Sequence, residues 1–424
     1  MTPGPELAGL RCAACGARPA GPAWRCPACG GLLEFEPEAG PPSLRLEPPP
    51  YAAARWPWEA SIWRWEPLLP RVPAAARVTL GEGGTPLVPL AAEGEAAPEE
   101  DGLWLKLDFL QPTGSFKDRG AAFLVSYLKA QGVREVRDDS SGNAGVALAA
   151  YAARAGLGCH VFVPAGSSEG KRAQLRLFGA VAHAVEGGRA AARQAAQAEE
   201  APGFYASHNW HPAFLAGLET LGYELAAEVA SLVAPGGRWH ALVPAGHGSL
   251  VLALGRAWER LAPPGGGAPA AAGWAAPPAI WAVQAEGDAP LALALEEGLP
   301  EPSPRLLAAA RRPTAAEGIA GAHPVRGREV LAHLRRSGGG AVQVTDGEIA
   351  LALRRLAGQG LLVEPTGAVA LAGAFRLRRE GRLPAGEPAV AVLTGSGLKA
   401  PAAVARLVAG AGDDPAPGTD GGPA

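Results

Sequence analysis

The stretch Gln111-Pro-Thr-Gly-Ser-Phe-Lys-Asp-Arg-Gly120, with Lys117 near its centre, organises the reading of this chain. Upstream, Leu103-Trp-Leu-Lys-Leu-Asp-Phe109 alternates and predicts a strand; downstream, Ala121-Ala-Phe-Leu-Val-Ser-Tyr-Leu128 predicts a buried helix. Pro112, Gly114 and Ser115 form the turn between them, so Lys117 falls where a loop becomes a helix. Of the 38 Lys plus Arg residues only five are lysines: Lys106, Lys117, Lys129, Lys171 and Lys399. A primary amine forms a Schiff base and a guanidinium does not, which is one reason to keep lysine in an arginine-rich chain. An ordinary lysine at a helix start is the alternative.

The chain has 424 residues, room for two full domains and a small appendage. Hydrophobic residues make up 48%, charged residues 19%, and mean hydropathy is +0.06, which describes a large core and not a disordered chain. A net charge of -3 gives no basis for a nucleic-acid or anionic-membrane surface. No apolar run reaches membrane-spanning length and the N-terminus does not resemble a signal peptide, so a cytoplasmic location is expected.

Four of the five cysteines, Cys12, Cys15, Cys26 and Cys29, lie in two C-x2-C pairs separated by ten residues, each followed by glycine. Such knuckles present four thiolates tetrahedrally, the arrangement of a structural zinc site, and so short a segment needs a metal or crosslinks to fold. Disulfides are the alternative. A closed four-cysteine site leaves no coordination position for substrate, so its role is structural or partner docking. Cys159, in Cys159-His-Val-Phe-Val163, reads as a small buried apolar residue.

Residues 37–50 read as a linker, and Arg55-Trp-Pro-Trp-Glu-Ala-Ser-Ile-Trp-Arg-Trp-Glu66 as a strap across a domain surface. Gly81-Glu-Gly-Gly-Thr-Pro-Leu87 is a tight turn into a strand. Strand and helix then alternate. Strands are expected at 133–137, 159–163, 180–185, 240–243, 279–284 and 389–393; helices at 146–154, 169–178, 189–199, 214–229 and 250–261, with a Gly/Pro/Ala insertion at 263–278. In such α/β proteins ligands gather at the C-terminal ends of strands.

Two further loops accompany the Lys117 turn. Ser140-Ser-Gly-Asn143 offers hydroxyls, an amide and the N–H groups of a helix start, which suits a carboxylate. Gly246-His-Gly-Ser249 packs backbone N–H groups and a hydroxyl at another helix start, which suits a phosphate. Either could also be a tight turn in a glycine-biased chain. The second is neither G-x-G-x-x-G nor a P-loop, which argues against dinucleotides and nucleoside triphosphates. Towards the C-terminus, Glu364-Pro-Thr-Gly-Ala368 opens a helix and a strand ends in Thr394-Gly-Ser-Gly-Leu-Lys399.

A Schiff-base lysine, a carboxylate nest, a phosphate nest and a terminal hydroxyl together describe a pyridoxal phosphate site for an amino acid. The stretches around Lys117, Ser140–Asn143, Glu364–Ala368 and Thr394–Lys399 resemble those of threonine synthases, in the tryptophan-synthase-β-like (fold type II) class of pyridoxal phosphate enzymes. Trp63-Arg-Trp, Leu68-Leu-Pro70 and Gly81–Leu87 resemble the threonine synthase lead-in, and some members carry a similar cysteine ribbon. The resemblance implies that Lys117 holds the cofactor as a Schiff base and then acts as the catalytic base. Asn143 would face the cofactor's 3'-oxygen, Gly246, His247, Gly248 and Ser249 its phosphate, and Thr394 its pyridine nitrogen. A hydroxyl there does not stabilise a protonated ring.

The chain also departs from the pattern. Ala144 and Gly145 replace the Thr-Ser that follows the Asn in common threonine synthases, and Gly246-His-Gly-Ser249 replaces Gly-Asn-x-Gly-Asn. His247 either bonds phosphate or caps its turn. His208, Asn209 and His211 either approach a substrate phosphate or pack a domain surface; Lys171 and Arg172 are the other candidates for an anionic leaving group. Ser115, Ser140, Ser141 and Gly142 complete the expected substrate residues.

The expected architecture is α/β: two open, largely parallel three-layer domains with the cofactor cleft between them, plus an N-terminal zinc ribbon. The ribbon spans 1–36, the linker and strap 37–75, the large domain 76–130 with 235–410, the smaller domain 131–234 and a disordered tail 411–424. The expected reaction converts O-phospho-L-homoserine and water to L-threonine and phosphate. A serine/threonine ammonia-lyase or another β-replacement enzyme is the rival, and a non-catalytic interaction protein of the same fold the remoter one. A small amino-acid substrate and a homodimeric assembly are expected, with no nucleic acid or membrane partner.

Overall fold

The computed structural model describes residues 7–36, 61–91, 100–167, 169–230, 232–233, 237–261, 278–303, 312–320 and 324–410. The expected linker, the first half of the Trp-rich strap, the 263–278 insertion save its last residue, and the 411–424 tail lie outside these residues. Strands β1 (Leu10–Cys12) and β2 (Leu33–Phe35) form an antiparallel pair in the ribbon; β3 (Leu87–Pro89) and β4 (Leu103–Lys106) lead into helix α1 (Lys117–Ala130). Then come β5 (Glu135–Asp138), α2 (Asn143–Ala155), β6 (Gly158–Pro164), α3 (Glu169–Leu177), β7 (Val181–Val185), α4 (Gly188–Gln197), β8 (Phe204–Tyr205) and α5 (Pro212–Val229). The second half runs β9 (His240–Pro244), α6 (Ser249–Leu261), β10 (Ala279–Ala285), α7 (Pro290–Glu296), α8 (Gly327–Ser337), β11 (Gly340–Val344), α9 (Asp346–Ala357), α10 (Pro365–Arg379), β12 (Ala389–Val392) and α11 (Pro401–Gly410).

Two sheets result. The larger has the order β11-β10-β9-β12-β4-β3, parallel except for β3 at the edge; the smaller has the order β7-β6-β5-β8 and is parallel throughout. The central strands β9 and β12 are buried at every position and β4 at all but Trp104, as a sheet covered by helices on both sides requires. These three neighbours come from distant parts of the chain, yet their C-terminal ends carry the Gly246 loop, Thr394 and the Lys117 loop. On the smaller sheet, neighbours β5 and β8 lead into Ser140–Asn143 and Ser207–His211. Helix α5 packs against α1 and α6, and α1 also packs against α2, so one helical layer runs between the sheets.

One boundary differs from the sequence expectation for a physical reason. The strand from Leu103 stops at Lys106 and not Phe109, because the chain turns Asp108 inward; α1 starts at Lys117, where the loop was expected to become a helix. The inward turn serves Arg119, a fully buried guanidinium that donates to Asp108 Oδ1 at 2.7 Å and to Glu224 Oε1 and Oε2 at 2.8 Å. Lys106, also fully buried, donates to the Thr85 carbonyl at 2.7 Å and pairs with Glu228 at 2.7 Å and Glu224 at 3.2 Å. The network ties β4, α1, α5 and the Gly81–Leu87 turn into one unit. The strap region that is described, a 3-10 helix over Ile62–Leu68, belongs to the main core and not to a surface: Trp63 and Trp65 are buried, and Trp63 Nε1 donates to the Val78 carbonyl at 3.0 Å. Arg119→Met leaves Asp108 and Glu224 buried without their shared cation. It is expected to cost about 3–5 kcal/mol of stability, read as a lower urea midpoint.

Candidate active site

The Lys117 loop is held on three sides. Gly114 O accepts from Ser396 N at 2.9 Å, Phe116 N donates to Thr394 O at 3.0 Å, and Ser115 bridges to Gly395. Thr113 N donates to Asp118 Oδ2 at 2.6 Å, which caps the turn from inside α1. Lys399, the other lysine near this loop, donates to the Thr113 carbonyl at 2.7 Å and is thereby committed to structure. Lys117 heads α1 with its amine 4.5 Å from the Phe116 ring centroid and 5.6 Å from that of Phe214. Burial pushes this amine down to about 8, against the opposing pull of the Asp138 and Glu364 carboxylates. Above that pH it is a neutral nucleophile and base.

Ser115 and Thr394 flank the same bridge, both buried, and among the described residues neither Ser115 Oγ nor Thr394 Oγ1 has a hydrogen-bond partner. Unsatisfied buried hydroxyls are costly unless a ligand completes them, and a pyridine nitrogen accepts what a hydroxyl donates. The residues present therefore fit a pyridoxal ring beside Lys117.

Asn143 begins α2 and crosses the cleft to the larger sheet's side, where its Nδ2 donates to Glu364 Oε1 at 3.0 Å. Glu364 caps α10, and Gly395 allows its approach: a Cβ there would lie 2.2 Å from Glu364 Oε1. Ser140 Oγ accepts from Gly142 N at 3.3 Å, and Ser141 is half-buried beside it. The departure at Gly145 has a steric cause, since a Cβ at that position would sit 1.8 Å from the Ser140 carbonyl oxygen. This loop folds back onto α2 too closely for a hydroxyl-bearing residue.

Gly246 and His247 lead into Gly248, whose φ of +79° turns the chain into α6 at Ser249. His247 and Ser249 line a small cavity with Asn209, Leu215, Leu252, Val325 and Arg326. The structure thus brings Asn209 beside the Gly246–Ser249 loop, while it gives its loop companions other work. His208 Nδ1 lies 3.1 Å from Asp138 Oδ2, and burial keeps this ring neutral, its pKa pushed down to about 3. His211 caps α5, with Nδ1 accepting from Ala213 N at 3.1 Å. Arg172 donates to the Ala165 carbonyl at 3.2 Å; Lys171 lies in α3, its side chain outside the described set.

Three site residues were missed by sequence reasoning. Asp138 is buried at the end of β5, and burial pushes its carboxyl up to about 7. The Asp138-Asp139 doublet before Ser140 was the available signal. Glu364 stood in a quoted motif without an assigned task. Arg326 had no local signal at all.

In the ribbon the four cysteines carry no disulfide, and their ligand atoms all lie within 4.8 Å of one another. Sulfur separations of 3.6 Å for Cys12–Cys29 and Cys15–Cys26 approach the roughly 3.8 Å edge of a tetrahedron with ~2.3 Å zinc–sulfur bonds. The donor set fits a metal ion. Among the described residues no helix is long and apolar enough to cross a membrane.

The model of the family described as "Pyridoxal-phosphate dependent enzyme" matches residues 78–395. The chain belongs to this family. Within it, the chain is 32% identical over 363 residues to the threonine synthase of Synechocystis sp., covering 85% of this chain and 88% of that one. It is likewise 32% identical over 333 residues to the threonine synthase of Methanosarcina acetivorans, covering 77% and 78%. The processed form of threonine deaminase isoform 2 from Solanum lycopersicum shares the fold, with a TM-score of 0.61 at 22% identity over 77% of this chain and 84% of that one.

The Asp138 carboxylate, ionised above about 7, raises the Lys117 amine. Asp138→Asn removes that pull, so the Lys117 pKa should fall below about 8. The pH midpoint for borohydride-trapped attachment of pyridoxal phosphate to the apoprotein is expected to move down by about one unit. An unchanged midpoint would place the carboxylate out of electrostatic reach.

Proposed function

We propose that this pyridoxal-phosphate dependent enzyme is a threonine synthase that converts O-phospho-L-homoserine and water to L-threonine and phosphate. The observation that carries the reading is the similarity to threonine synthases over most of both chains. It agrees with a neutral-capable Lys117 set between two unpartnered hydroxyls.

Pyridoxal phosphate, when bound, supplies an electron sink that acidifies the hydrogens of the substrate's α- and then β-carbon. Lys117 would hold the group and move the proton at the α-carbon, with burial pushing its amine down to about 8 so that it is uncharged above that pH. Thr394 and Ser115 would offer their unpartnered hydroxyls to the ring, and Asn143 would face its 3'-oxygen. Gly246, His247, Gly248 and Ser249 cradle the cofactor phosphate with backbone N–H groups at the start of α6. Ser140, Ser141 and Gly142 hold the substrate carboxylate at the start of α2.

The γ-phosphate leaves by elimination, and water adds at the β-carbon. With Asp138 ionised, His208 can donate Nδ1–H to it, and burial keeps the ring neutral, so His208 is not suited to pair with phosphate as a cation. Asn209 and Lys171 are left for the leaving anion. Cys12, Cys15, Cys26 and Cys29 hold a structural zinc ion, with the Cys15 N–H holding the Cys12 thiol down to about 6.

Purified protein given O-phosphohomoserine should release phosphate and threonine in equal amounts, and Lys117→Ala should lower kcat by at least about a thousandfold. Ammonia from threonine or serine, with no phosphate release from O-phosphohomoserine, would replace this reading by an ammonia-lyase. Cys12→Ser should lose about one zinc per chain by elemental analysis; unchanged content would remove the metal assignment.

A further inference from the structure

We propose that the N-terminal ribbon positions the phosphate side of the active site, gripping the Ser207–Pro212 loop through Trp24 and the Arg326 side chain through Glu34. This rests on the proposed reading of Asn209 and its neighbours as the substrate-phosphate side.

The first grip is aromatic. Trp24, two residues before Cys26, meets Tyr205 edge-on at 5.0 Å and 88° and Trp210 at 5.5 Å and 87°. Tyr205 ends β8, and its hydroxyl donates to Asp139 Oδ1 at 2.6 Å, directly before the Ser140 nest. Trp210 follows Asn209. One ribbon side chain thus touches the end of β8 and the loop that follows it, and reaches the Ser140 loop through the Tyr205 hydroxyl; edge-to-face packing fixes orientation as well as separation.

The second grip is ionic. Glu34 lies in β2, paired with Arg11, while Leu33 pairs with Cys12 itself. The Arg326 guanidinium is bound to the Glu34 carboxylate and donates to the carbonyls of Leu33 at 3.1 Å and Trp210 at 3.2 Å. Its Nε, buried, has no hydrogen-bond partner, and the side chain lines the cavity shared by Asn209, His247 and Ser249. Glu34 also accepts from Arg256 at 2.8 and 3.1 Å, and Arg256 lies on the helix that Ser249 begins. The pairing Cys12↔Leu33 makes the metal site and the Arg326 anchor parts of one two-strand register.

These contacts converge on loops that carry candidate ligands, which separates a positioning role from general support of the core. A misplacement of about 1 Å in such loops lowers binding or rate by large factors. Holoenzyme carrying Trp24→Ala or Glu34→Gln is compared with Asn209→Ala. The measurements are kcat, KM for O-phosphohomoserine, the inhibition constant of inorganic phosphate, zinc content and cofactor absorbance. For the two ribbon variants KM and the phosphate inhibition constant should each rise about tenfold, with kcat within about twofold and zinc and cofactor contents unchanged. If both constants stay at the parent values in the ribbon variants while Asn209→Ala raises them, the ribbon does not position the site. If Asn209→Ala also leaves them unchanged, the loop is not the phosphate side and the inference falls with that reading. Loss of zinc or cofactor in both ribbon variants would make the ribbon a folding element and overturn the positioning role.

Discussion

The fully buried Arg119 guanidinium between Asp108 and Glu224 is the contact on which the rest of this structure turns. It lies two residues after Lys117, so whatever fixes it also fixes the first turn of α1. A guanidinium in a dry interior persists only where carboxylates meet it with good geometry, and here both do, at 2.7 and 2.8 Å. One partner comes from the turn after β4 and the other from α5, so a single cation joins strand, loop and two helices. The cost of burying these charges is met by pairing, and the geometry that pairing demands is passed on to the lysine.

Burial also sets the chemistry. Lys117 has its amine pushed down to about 8, while Asp138 and Glu364 keep it from falling further. The two carboxylates come from opposite sides of the cleft, Asp138 from the smaller sheet and Glu364 from the cap of α10. Asn143 closes the same gap through its bond to Glu364. The lowered pKa of this amine is therefore a property of the apposition of two sheets, not of the loop in which the lysine stands.

Much of the fold was legible in local pattern. Alternation of apolar runs with Gly- and Ser-rich turns located the strands and helices from Val133 to Leu261 to within a few residues, save β8 at Phe204–Tyr205, whose two residues are too few to leave a periodic signature. The boundary that differed, at Phe109, was moved by a buried ion-pair cluster whose Glu224 lies far along the chain from Asp108 and Arg119. The Trp-rich lead-in was read as a surface strap because its density of aromatics and charges is ambiguous; its burial depends on the core of α1 and α5 beneath it. Asp138 and Arg326 escaped for the same reason, since a buried acid or a cavity-lining arginine looks like any other until its surroundings are known.

By itself the sequence determined the types of most elements, the four-cysteine cluster and the short loops whose residue types suit a carboxylate, a phosphate and a Schiff base, because these depend on spacing within a few residues. Only the tertiary structure decided that β9, β12 and β4 stand side by side, which is what gathers Gly246, Thr394 and Lys117 at one edge of a sheet. It likewise decided that Gly145 must be glycine, that Glu364 faces Asn143, and that the ribbon reaches the Ser207–Pro212 loop. Each of these is a meeting of residues far apart in the chain, and its energy resides in burial and electrostatic pairing that exist only after the layers have packed.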